Sequence, residues 1–296
     1  MKKLLILALI GFFAQLVDGA LGMAYGVTST SLLLFFGIAP AIASASVHMA
    51  EVVTTAASGI SHWKFGNVDR VIVKRLMVPG ALGAFVGACF LSNIPGDLAR
   101  PFISAFLFLL GFYVLYRFLF VKQVPLMKKK KPGKWTIPLG LFAGFADSTG
   151  GGGWGPLTTP ILISHKGMEP RKVIGSVDTS EFAVAVAASL GFLIALGPSQ
   201  IDWTWVGALM LGGVLAAPIA AWCVKWIPPQ LLGVLVGGFI IVINTRTILD
   251  STGWVPPSFY PWVYAWLIFL WTLALGAAIQ KIRTGRHCKQ SSDSDH

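Results

Sequence analysis

The chain has 296 residues, 55% of them apolar and only 12% charged, and its 23 Lys and Arg against 12 Asp and Glu give a formal net charge of +11. That leaves too little polar surface to cover a soluble globular fold, so a soluble globular protein is excluded. The apolar residues run on for about 20 at a time, the length a helix rising about 1.5 Å per residue needs to cross a hydrocarbon core of about 30 Å. Runs such as Pro101 to Val121 lack the alternating polarity of a transmembrane β-barrel. The expected fold class is an all-α polytopic membrane protein, helices being the spanning option that remains.

In chain order, Met1-Lys2-Lys3 followed by Leu4 to Ala14 imitates a secretory signal peptide. The segment after Ile10 recurs later in the chain, so it is expected to be retained as part of the fold. Leu4 to Phe36 is interrupted at Asp18-Gly19-Ala20-Leu21-Gly22-Met23-Ala24-Tyr25-Gly26. Three uninterrupted spans follow, Ala43 to Ser61, Val71 to Leu91 and Pro101 to Val121, and then a basic segment from Lys122 to Lys134. Ile137 to Ser164 is interrupted in its turn, at Asp147-Ser148-Thr149 followed by four glycines, Trp154, Gly155 and Pro156. Each glycine costs about 1 kcal/mol relative to alanine inside a helix, so both interruptions predict half-helices. Val173 to Leu196, Trp203 to Cys223 and Leu231 to Leu249 are the next spans, Tyr260 to Gln280 is one more, and Ser291 to His296 reads as a disordered tail. Of the three cysteines, Cys89 and Cys223 lie inside apolar spans and Cys288 in the tail, so no disulfide is expected.

A repeat organises these elements. Gly11 to Asp18 matches Gly140 to Asp147 at an offset of 129 residues, and the match continues through Gly22 with Gly151, Gly26 with Gly155, Pro40 with Pro170, Ser46-Val47 with Ser176-Val177 and Glu51 with Glu181. The implied organisation is a first membrane repeat (1–121), a basic cytoplasmic linker (122–135), a second membrane repeat (136–250), an extra C-terminal helix (251–281) and a cytoplasmic tail (282–296). In a membrane protein an excess of positive charge reports topology, and no nucleic-acid partner is expected. If both broken stretches turn back within the membrane, 19 of the 23 Lys and Arg fall on the cytoplasmic side and four (Lys2, Lys3, Arg100, Arg246) outside. If both cross, the split is 14 to nine. A version in which only the first crosses gives 21 to two but breaks the repeat, and stays open. Three crossings per repeat make the second half an inverted copy of the first, each a broken re-entrant hairpin plus three transmembrane helices.

Broken helices within a membrane are tolerated where protein or water satisfies the freed amides, so both breaks are candidate sites. The half-helices that begin near Gly26 and Gly155 present N–H groups carrying partial positive charge, which suits an anion. Gly26, Gly151, Gly152, Gly153, Trp154 and Gly155 are the candidate backbone-binding residues, and Thr28, Ser29, Thr30, Thr158 and Thr159 the hydroxyl donors; such hydroxyls also join membrane helices to one another. Ser44, His48, Glu51, Thr55, Ser58 and His62 follow helical spacing on one face, and the equivalent face of the second half carries Asp178 and Glu181. Ionisable groups at this depth are functional candidates by default, and His48, Glu51, Asp178 and Glu181 are read as proton-coupling residues. Asp18 and Asp147 are read as holding the hairpin turns through backbone N–H groups. No catalytic set and no metal-ligand spacing emerges, so no cofactor and no metal are expected. The run Lys128 to Lys131 is compatible with anionic membrane lipid as a partner.

The segments Asp18 to Val27 and Asp147 to Pro156, together with Ser-Val-His-Met-Ala-Glu51 and Ser-Val-Asp-Thr-Ser-Glu181, resemble the sulfite exporter (TauE/SafE) family of membrane proteins over about Leu4 to Gln280. The resemblance implies transport of a small sulfur-containing anion (sulfite, a sulfonate or thiosulfate) across a bacterial cell membrane. The expected mechanism is secondary transport by alternating access. A membrane-embedded enzyme and an anion channel are the alternatives, and assembly into a homo-oligomer is left open.

Overall fold

The structure, a computed structural model, describes every residue except 1, 22, 122–132, 165–169, 224–227 and 295–296. Most of the basic linker therefore lies outside the described residues, as does Gly22. Among the described residues the chain is helical throughout, with no strand: α1 (Lys2–Leu21), α2 (Tyr25–Phe35), α3 (Pro40–Lys64), α4 (Arg70–Ser92), α5 (Gly96–Phe120), α6 (Thr136–Gly150), α7 (Trp154–Ser164), α8 (Pro170–Leu196), α9 (Trp203–Cys223), α10 (Pro229–Thr252) and α11 (Tyr260–Ser294). Residues 70–92, 96–120, 172–196, 230–252 and 257–284 form five helices long and apolar enough to cross a membrane. The 25-residue α3 is long enough but carries the polar stripe.

Local chemistry sets the helix starts and stops. Prolines at the first positions of α3 and α10 have a φ already suited to a helix and lack an N–H that would go unpaired. The Asp69 carboxylate accepts the Val71 N–H at 2.8 Å and caps α4. Gly253, at φ 63°, closes α10 in the left-handed conformation.

Two features differ from the sequence expectation. The interruptions are shorter: α1 continues to Leu21 and α6 through Gly150, so Asp18 and Asp147 lie in helix rather than in the turn. Glycine weakens a helix but ends it only where φ turns positive, here at Gly151 (φ 68°). At the C-terminus α11 continues to Ser294 across the expected disordered tail. No proline interrupts it after Gln280.

The packing repeats itself. α1 lies along α9 and α6 lies along α4, and under the sequence offset these are the same crossing made twice. Each depends on close backbone approach: a Cβ on Gly212 would run into the Ala8 carbonyl, and one on Gly83 into the Leu141 carbonyl. α3 crosses its counterpart α8 and α5 lies along its counterpart α10, while α11 packs on α10 and exposes Trp262, Trp266, Phe269 and Leu273. At the start of α5, Arg100 donates to the Leu34 carbonyl at 2.6 Å, and Arg246 sits 4.9 Å over the Phe35 ring, so the exits of α2 and α10 share that end of the bundle. At the other end of α5, Lys281 donates to the Leu119 carbonyl at 2.8 Å.

Candidate functional site

Each break is closed by an aspartate one turn before the preceding helix ends. Asp147 Oδ1 accepts the N–H of Trp154, the first residue of α7, at 2.9 Å, and Asp18 Oδ1 accepts the N–H of Tyr25, the first residue of α2, at 3.3 Å. The two return helices thus begin with one amide already held by a carboxylate. The chain turns through Gly151 and Gly152 (φ 155°) in one break and through Ala24 (φ 115°) in the other.

The two breaks meet. The Thr30 hydroxyl donates to the Gly151 carbonyl, and a Cβ on Gly26 would lie 2.8 Å from Gly152 Cα and 3.0 Å from Glu51 Oε1. Only glycine at both positions allows this contact, which brings residues from opposite halves of the sequence together beside a buried carboxyl of α3. Ser29, Gly153, Trp154 and Gly155 are buried around it. Trp154 is fully enclosed and donates its indole N–H to the Val177 carbonyl at 3.1 Å.

The predicted hydroxyls divide into two groups. Thr30 is committed to Gly151, and Thr158 donates to the Trp154 carbonyl at 2.5 Å within its own helix. Thr28, Ser29 and Thr159 are buried, and their hydroxyl oxygens have no hydrogen-bond partner among the described residues. An unpaired buried hydroxyl costs about 1–3 kcal/mol, so these three are the ones with a hydrogen bond to give.

α3 joins the second break to the centre. Ser44 donates to the Ser148 carbonyl at 2.6 Å, and the wholly buried His48 places Nε2 3.1 Å from Asp147 Oδ2 and 4.0 Å from Glu51 Oε2. His48 Nδ1 lies 2.8 Å from the Ser44 carbonyl, which can only accept, so Nδ1 carries a hydrogen. The contact between Nε2 and Oδ2 then requires one further proton, held either as imidazolium and carboxylate or as neutral imidazole and carboxylic acid. The pair is neutral overall in both forms, as burial demands.

The other cluster is acidic. A narrow, tightly closed cleft is bordered by Gln15, Asp18, Glu51, Ser58, Asp178 and Glu181, among nine lining residues that all bear a side-chain oxygen. The structure therefore brings Glu51, Asp178 and Glu181 together with Asp18 and leaves His48 with Asp147. Sequence reasoning missed Gln15, though a polar residue one turn before Asp18 in an otherwise apolar run is a readable signal. It also missed Ser148, whose part is played by a backbone carbonyl and leaves no trace in residue type. Among the described residues no group of three His, Cys, Asp or Glu side chains is arranged to hold a metal ion.

Residues 7–247 match the family of the sulfite exporter TauE/SafE. The chain belongs to that family. Within the TauE/SafE comparison it is 59% identical to the probable membrane transporter protein YtnM of Bacillus subtilis (strain 168), over 99% of this chain and 98% of that one. It is 25% identical to the probable membrane transporter protein YdhB of the same organism, over 78% of this chain and 93% of that one. No solved structure matches. Family membership and the five long apolar helices together make the chain a multi-pass membrane protein.

Proposed function

We propose that the protein is a secondary transporter of a small sulfur-containing anion across the cell membrane, working by alternating access between two inverted repeats. The observation that carries this reading is the meeting of the two Gly-rich breaks, one from each half, at Gly26 and Gly152. A contact made by glycine backbone and a single hydroxyl, that of Thr30, is the kind of seam that separates without breaking a core. Its polar surroundings suit an anion, because Asp18 and Asp147 hold only the first amide of each return helix and Thr28, Ser29 and Thr159 have hydroxyls to donate. In this reading the anion is bound by Gly26, Thr28 and Ser29 on one side and by Gly151 to Gly155 and Thr159 on the other, while the hydroxyls of Thr30 and Thr158 hold the backbone around it.

Two further observations support the reading. The family is described as a sulfite exporter and the relatives as probable membrane transporters. The duplicated crossings of α1 on α9 and α6 on α4 fit repeats related by an axis in the membrane plane. His48, Glu51, Asp178 and Glu181 handle the coupled proton, with Glu51 closest to the seam. Purified protein in proteoliposomes, offered sulfite, thiosulfate, sulfate and short sulfonates, tests the proposal. Saturable uptake of one of these anions, chemically unchanged, is expected. Conversion of the substrate would instead support an enzyme, and conductance without saturation a channel.

A further inference from the structure

The residue of the second half equivalent to His48 is Asp178, since Ser46-Val47 aligns with Ser176-Val177. That one difference changes what the matching aspartates face. Asp147 meets the imidazole of His48 at 3.1 Å, a partner with hydrogens to give. Asp18 instead shares its cleft with Asp178, Glu51 and Glu181, all of them acceptors when ionised.

The cleft has an excess of acceptors. Gln15 is 5% exposed and Asp178 6%, and Gln15 Oε1 and Asp178 Oδ2 have no hydrogen-bond partner among the described residues. The nearest base to Asp178 is His62 of α3, whose Nε2 stands 3.9 Å from Oδ2, beyond hydrogen-bond reach. Thr54 and Thr55, which also line the cleft, give their protons to the Glu51 carbonyl at 3.4 and 2.5 Å and have only lone pairs left to offer. Tyr25 OH points its hydrogen to the Leu209 carbonyl at 3.5 Å. His48 faces Glu51 at 4.0 Å but is engaged by Asp147. Beyond the Gln15 amide and the Ser58 hydroxyl the cleft offers mainly oxygen lone pairs from carboxyl, amide and hydroxyl groups, and in a membrane protein's interior these are the ligand set of a hard cation.

We propose that this cleft binds a small monovalent cation, sodium, through Asp178, Gln15 and the neighbouring hydroxyl oxygens, in competition with protons on the same carboxyls. A divalent ion is disfavoured because, although four acidic side chains line the cleft, no three His, Cys, Asp or Glu side chains among the described residues are arranged to hold a metal ion. Asp147 has its partner built into the chain, as His48; Asp18 and Asp178 take theirs from solution. As a coupling site this rests on the transporter reading, but binding itself does not require transport.

The experiment is equilibrium binding of radioactive sodium to the purified full-length protein in detergent, with thermal unfolding in sodium, potassium and choline chloride at one ionic strength. A ligand that binds only the folded state raises the melting temperature. Saturable binding and a sodium-specific rise are expected, both weakening as pH falls. Asp178→Asn should lose both. Asp178→His, which sets an imidazole opposite Asp18 as His48 stands opposite Asp147, should lose sodium binding yet fold and melt normally without sodium. Absence of saturable binding, equal shifts in all three salts, or sodium binding unchanged in both variants would overturn the site. Anion flux driven by a pH gradient in a protein that binds no sodium would remove this site and keep the transporter. Sodium binding without flux of any anion would do the reverse.

Discussion

Thr158 and Thr159 are neighbours in sequence and opposite in circumstance. The Thr158 hydroxyl is satisfied by the Trp154 carbonyl at 2.5 Å, whereas Thr159 Oγ1 is buried without a partner among the described residues. Replacing each by valine keeps the shape and removes the hydroxyl. Thr159→Val should weaken anion binding about fivefold, the equivalent of about 1 kcal/mol for one lost hydrogen bond, while Thr158→Val should leave affinity nearly unchanged; a binding titration on purified protein separates them. Glu51 carries a sharper expectation, because its Oε1 sits against Gly26 at the seam while its Oε2 faces His48. Glu51→Gln, a near-isosteric neutral change, should leave equilibrium anion binding in place and flatten the pH dependence of flux in proteoliposomes. A pH profile kept intact in both Glu51→Gln and Glu181→Gln would return these carboxyls to structural hydrogen bonding.

At the scale of elements, the breaks were legible and their edges were not. Four glycines and a proline announce an interruption, but Gly150 stays helical because its backbone keeps a right-handed conformation; the helix stops where Gly151 and Gly152 turn positive. In the first break that duty falls on Ala24, at φ 115°, a conformation L side chains rarely adopt and one costing about 1–3 kcal/mol. Nothing in the residue type alanine signals this. Ala24→Gly should therefore raise the unfolding free energy by about 1 kcal/mol, measured as a higher melting temperature in detergent. The pairing of Asp147 with His48 was illegible for a different reason: the two are 99 residues apart and come from different halves, so no periodicity within either half could join them. The helix face holding His48, Glu51 and Thr55 was readable from spacing alone because an α-helix fixes which residues share a side.

For the whole molecule, the sequence repeat aligns α1 with α6 and α9 with α4, and α1 packs on α9 as α6 packs on α4. The charge split makes sidedness testable: reporters fused after Gln123 and after Lys289 should both lie in the cytoplasm, and an external signal from either would reject the arrangement. The hydrogen bond between Lys281 and the Leu119 carbonyl puts the ends of α5 and the apolar part of α11 together, as that arrangement requires. The two hairpins are not, however, fastened alike. The second is bolted to α3 by Ser44 on the Ser148 carbonyl and by His48 on Asp147, whereas among the described residues no hydrogen bond ties α1 or α2 to α8, the counterpart of α3. Under the alternating-access proposal the second hairpin is the stator and the first is the moving part. Hydrogen–deuterium exchange should then show backbone amides of residues 7–21 opening faster than those of 136–150, and the anion should slow the first set more than the second.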